Sequence, residues 1–235
     1  MTDDAHQQFG KPLGAPVHTT PSECPGPVAL NGRYGRIEKL RIEHAASLWD
    51  AVQGHDAIWT YMSQYGPFAG ATEFFGWVHQ RTALTDPYSY AIMSSVDRCV
   101  GIATLMEIKP AMRVIEVGHI VYSPALQRTP LGTEAQYLLG RYAFETLRYR
   151  RYEWKCNALN AASRSAALRY GFTFEGILRQ HMIAKGRNRD TAYFSMLDGE
   201  WPIRKANFER WLSPDNFTTD GQQILSLSAL NGVKG

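Results

Sequence analysis

The sequence predicts one α/β (α+β) domain: a central, twisted, mostly antiparallel sheet flanked by helices. Three observations lead there. Strand-like runs bounded by turn residues follow one another directly over 88–122. Two helical patterns, at 131–147 and 161–170, each follow a strand directly. The 235 residues are 44% hydrophobic and 20% charged, enough apolar material for a sizeable core. At about 100–200 residues per domain this length suits one domain with appendages.

Taken in order, residues 1–32 hold five of the twelve prolines and no periodic apolar pattern, so they read as an extended arm without regular elements. Such an arm is either loose or laid along the surface with Leu13, Val17 and Leu30 as anchors. Residues 33–198 form the domain proper. It opens with a half-buried strand at 33–42 and a helix at 45–53 stopped by Gly54. A helix at 71–84 precedes strands at 88–95 and 99–108, joined by a hairpin-length turn. The strand at 113–122 is interrupted by Gly118, where a bulge fits. The helix at 131–147 follows, then a strand at 152–158, a helix at 161–170 ended by Gly171, and strands at 172–184 and 191–197 around a polar turn. Residues 199–235 are expected to dock as short helices.

Twenty-five Lys plus Arg against 22 Asp plus Glu is a mild excess, suited to an anionic ligand and weak for DNA binding. The three cysteines, Cys24, Cys99 and Cys156, make neither a disulfide framework nor a metal pair, and the histidines do not pair at ligand spacing. No metal is expected. Without an apolar run of about 18 residues or a secretion signal, the expected location is the cytoplasm, away from membranes.

Phosphate-loop, nucleophile-elbow and zinc-helix motifs are all missing from the sequence. The strongest local signal is the junction from Tyr122 to Glu134, a strand ending in a tight polar loop that enters a long helix. Free N–H groups and the positive dipole end make such a helix start an anion site. Pro130 supplies no donor, and Gly132 is read as letting a ligand approach the backbone.

Four segments then carry a resemblance. Gln127-Arg128-Thr129-Pro130-Leu131-Gly132 resembles the Q/R-x-x-G-x-G/A pyrophosphate loop of the GNAT (general-control-type N-acetyltransferase) superfamily, with Pro130 in place of the first glycine. Asn160-Ala-Ala-Ser163, followed by a helix ending at Gly171-Phe172, looks like that family's N-x-x-S and G-F segment. The stretch Phe172-Thr-Phe-Glu175-Gly-Ile-Leu-Arg179 and the strand Glu116-Val-Gly-His119 are similar to the ribosomal-protein acetyltransferase (RimJ/RimL-like) branch. The resemblance spans roughly 33–198 in the right order and implies a GNAT-like acyltransferase fold. Ala167 stands where many members place a tyrosine acid, so that role has to lie elsewhere.

The activity implied is direct transfer of acetyl from acetyl-coenzyme A (acetyl-CoA), as co-substrate, to a primary amine. The amine must lose a proton, the oxyanion needs donors, and the departing thiolate needs a proton. The residues assigned are Glu116 as base and Ser163 as the group assisting the thiolate. The main chain of Ile120, Val121 and Tyr122 is expected to pair with pantetheine, and the loop residues Gln127, Arg128, Thr129, Leu131, Gly132 and Thr133 to hold the pyrophosphate. Asn160 and Ser163 are expected to bond the pantetheine arm, with a plain helix cap as the simpler reading of Asn160. By period two, His119 faces away from Glu116 unless a bulge intervenes. The aromatic segment 59–68 either walls the acceptor site or is ordinary core.

The acceptor is either a small-molecule amine or a protein N-terminus, with homodimerisation left open. Two rivals remain: a non-catalytic acyl-CoA-binding sensor, suggested by Ala167 and Pro130, and a basic RNA- or ribosome-contacting module, suggested by the runs 148–151 and 185–189. Thermal melting with acetyl-CoA separates the first two readings from the third.

Overall fold

The computed structural model describes residues 7–8 and 11–233. Two short strands, β1 (Gln7–Gln8) and β2 (Lys11–Pro12), form a ribbon of their own. The main sheet has eight strands: β3 (Ala29–Asn31), β4 (Gly35–Lys39), β5 (Tyr88–Ser94), β6 (Cys99–Lys109), β7 (Val114–Tyr122), β8 (Arg151–Asn157), β9 (Thr173–Ala184) and β10 (Arg187–Leu197). Their order is β3-β4-β5-β6-β7-β8-β10-β9, and only β7 and β8 run parallel. Helices α1 (Ala45–Val52) and α2 (Ala71–Thr82) cover one face. The other face carries α3 (Pro130–Arg141), α4 (Ala161–Arg169), α5 (Trp201–Leu212) and α6 (Leu227–Leu230). The expected α/β architecture is the observed one.

Alternation along the strands explains the two cores. Ile115 and Val117 of β7, Ala103 and Leu105 of β6, and Trp154 and Cys156 of β8 pack beneath α3 and α4. Val121, Ile102 and Ala91 pack beneath α1 and α2 with Trp59, Phe74 and Trp77. Each such fully buried large side chain contributes about 1.5–3 kcal/mol relative to exposure.

Three expectations need correcting. The arm was read as lacking regular elements, yet residues 29–31 pair with β4 as the edge strand β3, because Arg33 and Tyr34 are fixed by Glu134 and hold the turn. Its anchors differ in part. Leu30 packs against the core as expected, but Leu13 and Val17 are exposed, and Ser22 N–H donates to Pro110 O, Glu23 N–H to Leu147 O and Gly26 N–H to the Tyr142 hydroxyl. The helix expected to 147 is α-helical only to Arg141 and widens into a π turn over Tyr142–Thr146, where Leu147 N–H reaches Tyr142 O. The closing strand starts at Arg187 rather than 191, since Lys185 and Gly186 make a two-residue turn with positive φ at both positions.

The C-terminal segment docks through α5, whose Trp201, Phe208 and Trp211 are buried. Trp201 stacks on Phe144 of the π turn and on Tyr137 of α3. No helix among the described residues is long and apolar enough to cross a membrane.

Candidate active site

The parallel pairing of β7 with β8 lasts for four residues, Val114↔Arg151 to Val117↔Trp154, and then stops. Beyond it, residues 118–122 of β7 and 155–157 of β8 do not pair with one another, which leaves an opening between the strands. A bulge drives the divergence: β6 partners jump from Thr104↔Gly118 to Ile102↔Val121, so two residues of β6 face three of β7. The extra residue is His119, with φ of 46°. The bulge sits one residue beyond the glycine that signalled it. It reverses the side-chain parity, and His119 lands on the α1/α2 face together with Glu116, since it contacts Arg81 and Tyr65 there.

On the α3/α4 face, the loop after β7 enters α3 as its sequence suggested. Thr129 caps the helix, its Oγ1 accepting from Gly132 N–H at 3.1 Å, and Pro130 occupies the first turn. Gln127 N–H goes to Ser123 O, Thr129 N–H to Leu126 O and Thr133 N–H to Thr129 O. That leaves the N–H groups of Arg128 and Leu131 without acceptors among the described residues. The six-residue loop therefore offers two free amides at a helix start, with the exposed Arg128 side chain beside them. This donor set fits a pyrophosphate.

Gly132 has a different reason to be glycine from the one expected. A Cβ there would lie 2.9 Å from Leu126 O and 3.1 Å from the Tyr122 ring, so the residue admits Tyr122 rather than a ligand. The Tyr122 hydroxyl donates to Gly132 O at 2.7 Å and accepts from Gln136 Nε2 at 2.8 Å. Gln127 Nε2 donates to the Tyr122 carbonyl, so one main-chain acceptor at the strand end is already used. The main chain of Ile120 and Val121 lies along the diverging edge.

Asn160 caps α4, its Oδ1 accepting from Ser163 N–H at 3.1 Å. Ser163 Oγ accepts the Trp154 indole N–H at 3.0 Å, so its own proton is available to donate, with the Cys156 thiol beside it. Trp154 is the last β8 residue paired with β7, so Ser163 stands at the mouth of the cleft. Ala167 is fully buried in the core. Burial raises the Cys156 thiol, in keeping with a core residue.

Glu116 is on the opposite face from Ser163. Its Oε2 pairs with Lys155 Nζ at 2.8 Å, and Lys155 also pairs with Glu153 Oε2 at 3.0 Å. Burial pushes the Glu116 carboxyl up to about 7 against the pull of Lys155. Lys155 stays charged because Glu116 and Glu153 outweigh its burial, and its Nζ lies 5.0 Å from the Tyr193 ring centroid.

Beside this trio, Arg81 of α2 donates to His119 Nδ1 at 3.0 Å and to Thr104 Oγ1 at 3.3 Å. Burial, with Arg81 and Arg189 nearby, pushes His119 down to about 4, so its ring is neutral with the proton on Nε2. The 59–68 segment closes over this face. Lys185 Nζ donates to Trp59 O and Gly66 O, and Arg189 bonds the Ser63 hydroxyl. In the basic turn 185–189, Lys185 and Arg189 clamp the aromatic loop. The 148–151 run is likewise structural at Arg151, which pairs with Glu153 and Glu175. Arg81 and Lys155 were not singled out as site residues, and Tyr65 entered only as part of the aromatic segment 59–68. The signal available for Lys155 was its period-two position on β8.

A splayed parallel pair, a donor-bearing loop opening a helix on one face, and a buried carboxylate on the other describe an acyltransferase cleft. The chain belongs to the GNAT acetyltransferase family, whose domain model matches residues 36–173. It is similar to a GCN5-related N-acetyltransferase from Brucella melitensis, at 42% identity over 91% of this chain and 98% of that one, with a TM-score of 0.88. A probable acetyltransferase of the GNAT family from Chromobacterium violaceum shares 41% identity over 82% of this chain and 96% of that one, with a TM-score of 0.74. An acetyltransferase from Salmonella typhimurium that modifies the N-terminal serine of a 50S ribosomal subunit protein is similar at 20% identity over 72% of this chain and 99% of that one, TM-score 0.63, a likeness of fold alone. No curated protein matches the chain. GNAT domains use acetyl-CoA as co-substrate. Among the described residues, no group of three or more His, Cys, Asp or Glu is placed to hold a metal ion.

Proposed function

We propose that the protein transfers acetyl directly from acetyl-CoA to a primary amine, carried by a small molecule or by a protein N-terminus. The observation that supports this best is the buried Glu116 carboxyl, raised to about 7, on the strand whose bulge opens the cleft. A base is most effective when its pKa lies near the working pH. Acetyl-CoA supplies the activated acyl group. Its pyrophosphate is assigned to the Arg128 and Leu131 amides and its pantetheine to the edge at Ile120 and Val121, as an added strand would pair.

The two faces divide the work. On the α1/α2 face, Glu116 accepts the proton from the incoming ammonium group, directly or through one water. Lys155 keeps its charge throughout and orients the carboxylate. On the α3/α4 face, the Ser163 hydroxyl has a proton to give to the departing thiolate. With Ala167 buried in place of a tyrosine, the role falls to the Ser163 hydroxyl, which Trp154 holds at the end of the β7–β8 pairing.

Thermal melting with and without acetyl-CoA, followed by thiol release across an amine panel, tests the reading. A rise in melting temperature with acetyl-CoA and amine-dependent thiol release is the expected result. Stabilisation without release for any amine leaves an acyl-CoA sensor, and salt-dependent RNA binding without an acetyl-CoA effect leaves the RNA module.

A further inference from the structure

Arg81 is only 5% exposed, and no carboxylate among the described residues pairs with it. Buried charges are ordinarily paired, because an isolated ion in a low-dielectric site is costly. Its partners here are neutral: Thr104 Oγ1, the unprotonated Nδ1 of His119, and the ring faces of Tyr65 and Trp77, whose centroids lie 5.4 and 5.5 Å from the guanidinium carbon. Its Nε–H has no acceptor. The surroundings deepen the deficit. Arg189 also bears on His119, its Nε–H is likewise buried without an acceptor, and its recorded hydrogen bond goes to Ser63. Tyr65, whose ring packs against both Arg81 and His119, has its hydroxyl buried without a partner. Around His119 and the 59–68 loop, two guanidinium groups and a phenol thus keep buried donors unspent, and no anion is paired with them among the described residues.

From this we infer that Arg81, Arg189 and Tyr65 form an anion-binding subsite on the acceptor side, and that the acceptor amine carries a carboxylate. The inference rests on the acetyl-transfer reading for the identity of the molecule and on the unpaired cations for its charge. Orientation follows from electrostatics. Glu116, the proton acceptor of the acetyl-transfer reading, takes the ammonium end, while Arg81 and Arg189, which no carboxylate among the described residues offsets, take the carboxylate; the charge of Glu153 is already balanced by Lys155 and Arg151. An amino-carboxylate therefore enters with its amine toward Glu116 and its acid end toward α2. Guanidinium groups suit this task because their N–H donors match the two oxygens of a carboxylate.

The test avoids catalysis. N-acetylglycine, which carries the acetamide and the carboxylate of such a product, is titrated against the full chain beside its neutral counterpart N-acetylglycinamide, without coenzyme, by calorimetry. The acid is expected to bind at least about tenfold more tightly, a difference of about 1.4 kcal/mol. That preference should vanish in Arg189→Gln, with a melting curve checking the fold because Arg189 also holds the 59–68 loop through Ser63, and in Arg81→Gln if it folds. Equal affinities, no binding of the acid, or an undiminished preference in Arg189→Gln overturns the subsite. The two readings fail separately. If acetyl-CoA neither stabilises the chain nor is consumed while the preference holds, the acetyl-transfer reading falls alone. If neutral amines are acetylated as well as their acid counterparts, the subsite falls alone.

Discussion

Lys155 Nζ lies 2.8 Å from Glu116 Oε2, bridging two parallel strands just before they part. The contact ties a buried base to a permanent cation, so the carboxylate can take up a proton without losing its orientation. Replacing Glu116 with Gln keeps size and hydrogen bonding but removes basicity. Turnover should fall by about a hundredfold or more, as for other general bases. The deficit should shrink at high pH, where the free amine is abundant, in a steady-state rate series from neutral to alkaline pH. A parent-like rate at neutral pH would leave water as the proton acceptor, since His119 already takes a hydrogen bond from Arg81 on Nδ1.

Lys155→Met gives a directional check. Lys155 pulls Glu116 down from where burial alone would set it. Without the ammonium group the carboxyl rises, and the base form appears only at higher pH. The acidic limb of kcat/KM against pH should therefore move upward, while the plateau at high pH changes less. A limb that stays in place removes Glu116 from the proton path.

Ser163→Ala should lower turnover more than affinity for acetyl-CoA if the hydroxyl acts in the transition state. The substitution also strips the Trp154 indole of its acceptor. Trp154→Phe is the control, removing the indole donor while leaving the hydroxyl. If both variants show the same loss, positioning of α4 against β8 accounts for it.

The pyrophosphate loop is best tested at Arg128, whose side chain is exposed. Arg128→Glu should weaken acetyl-CoA binding with little change in melting temperature. Gly132→Val should instead lower the melting temperature, because its Cβ would meet the Leu126 carbonyl at 2.9 Å. Calorimetry and melting together separate ligand binding from loop packing.

Acid stability carries a further prediction. Arg151, through two hydrogen bonds, draws the Glu175 carboxyl down to about 2 from 4.5. A depressed folded-state pKa stabilises the fold above the unfolded value, and that contribution is lost as pH falls through the folded one. Stability should decline between pH 4.5 and about 2 partly for this reason. Glu175→Gln should flatten the decline in urea melts over that window. The effect is modest, since the Glu175 side chain is 38% exposed.

Much of the sheet was legible from short apolar runs bounded by turns. Residues 88–122 predicted three adjacent strands because each run is of strand length, rich in apolar residues and bounded by a recognisable turn, and they pair as β5-β6-β7. The loop into α3 was legible as well, since Thr129 and Pro130 are a helix cap and a first-turn residue by local chemistry. Edge strand β3 was not, because three residues in a proline-rich arm have no pattern of their own. They pair only because Glu134, a hundred residues away, holds the backbone N–H groups of Arg33 and Tyr34.

The candidate site divides along the same line. Glu116, Ser163 and the loop could be named from short motifs, because cap, bulge and turn chemistry act over a few residues. Which face His119 takes depends on one extra residue in the β7 ladder, and a single step reverses side-chain parity. Arg81, Lys155 and Arg189 come from α2, β8 and β10, and their charges matter only through what surrounds them in the fold. Sequence set the elements and the local donors. Tertiary structure alone decided which charges are paired and which remain unpaired, because burial and ion pairing depend on distances between segments far apart along the chain.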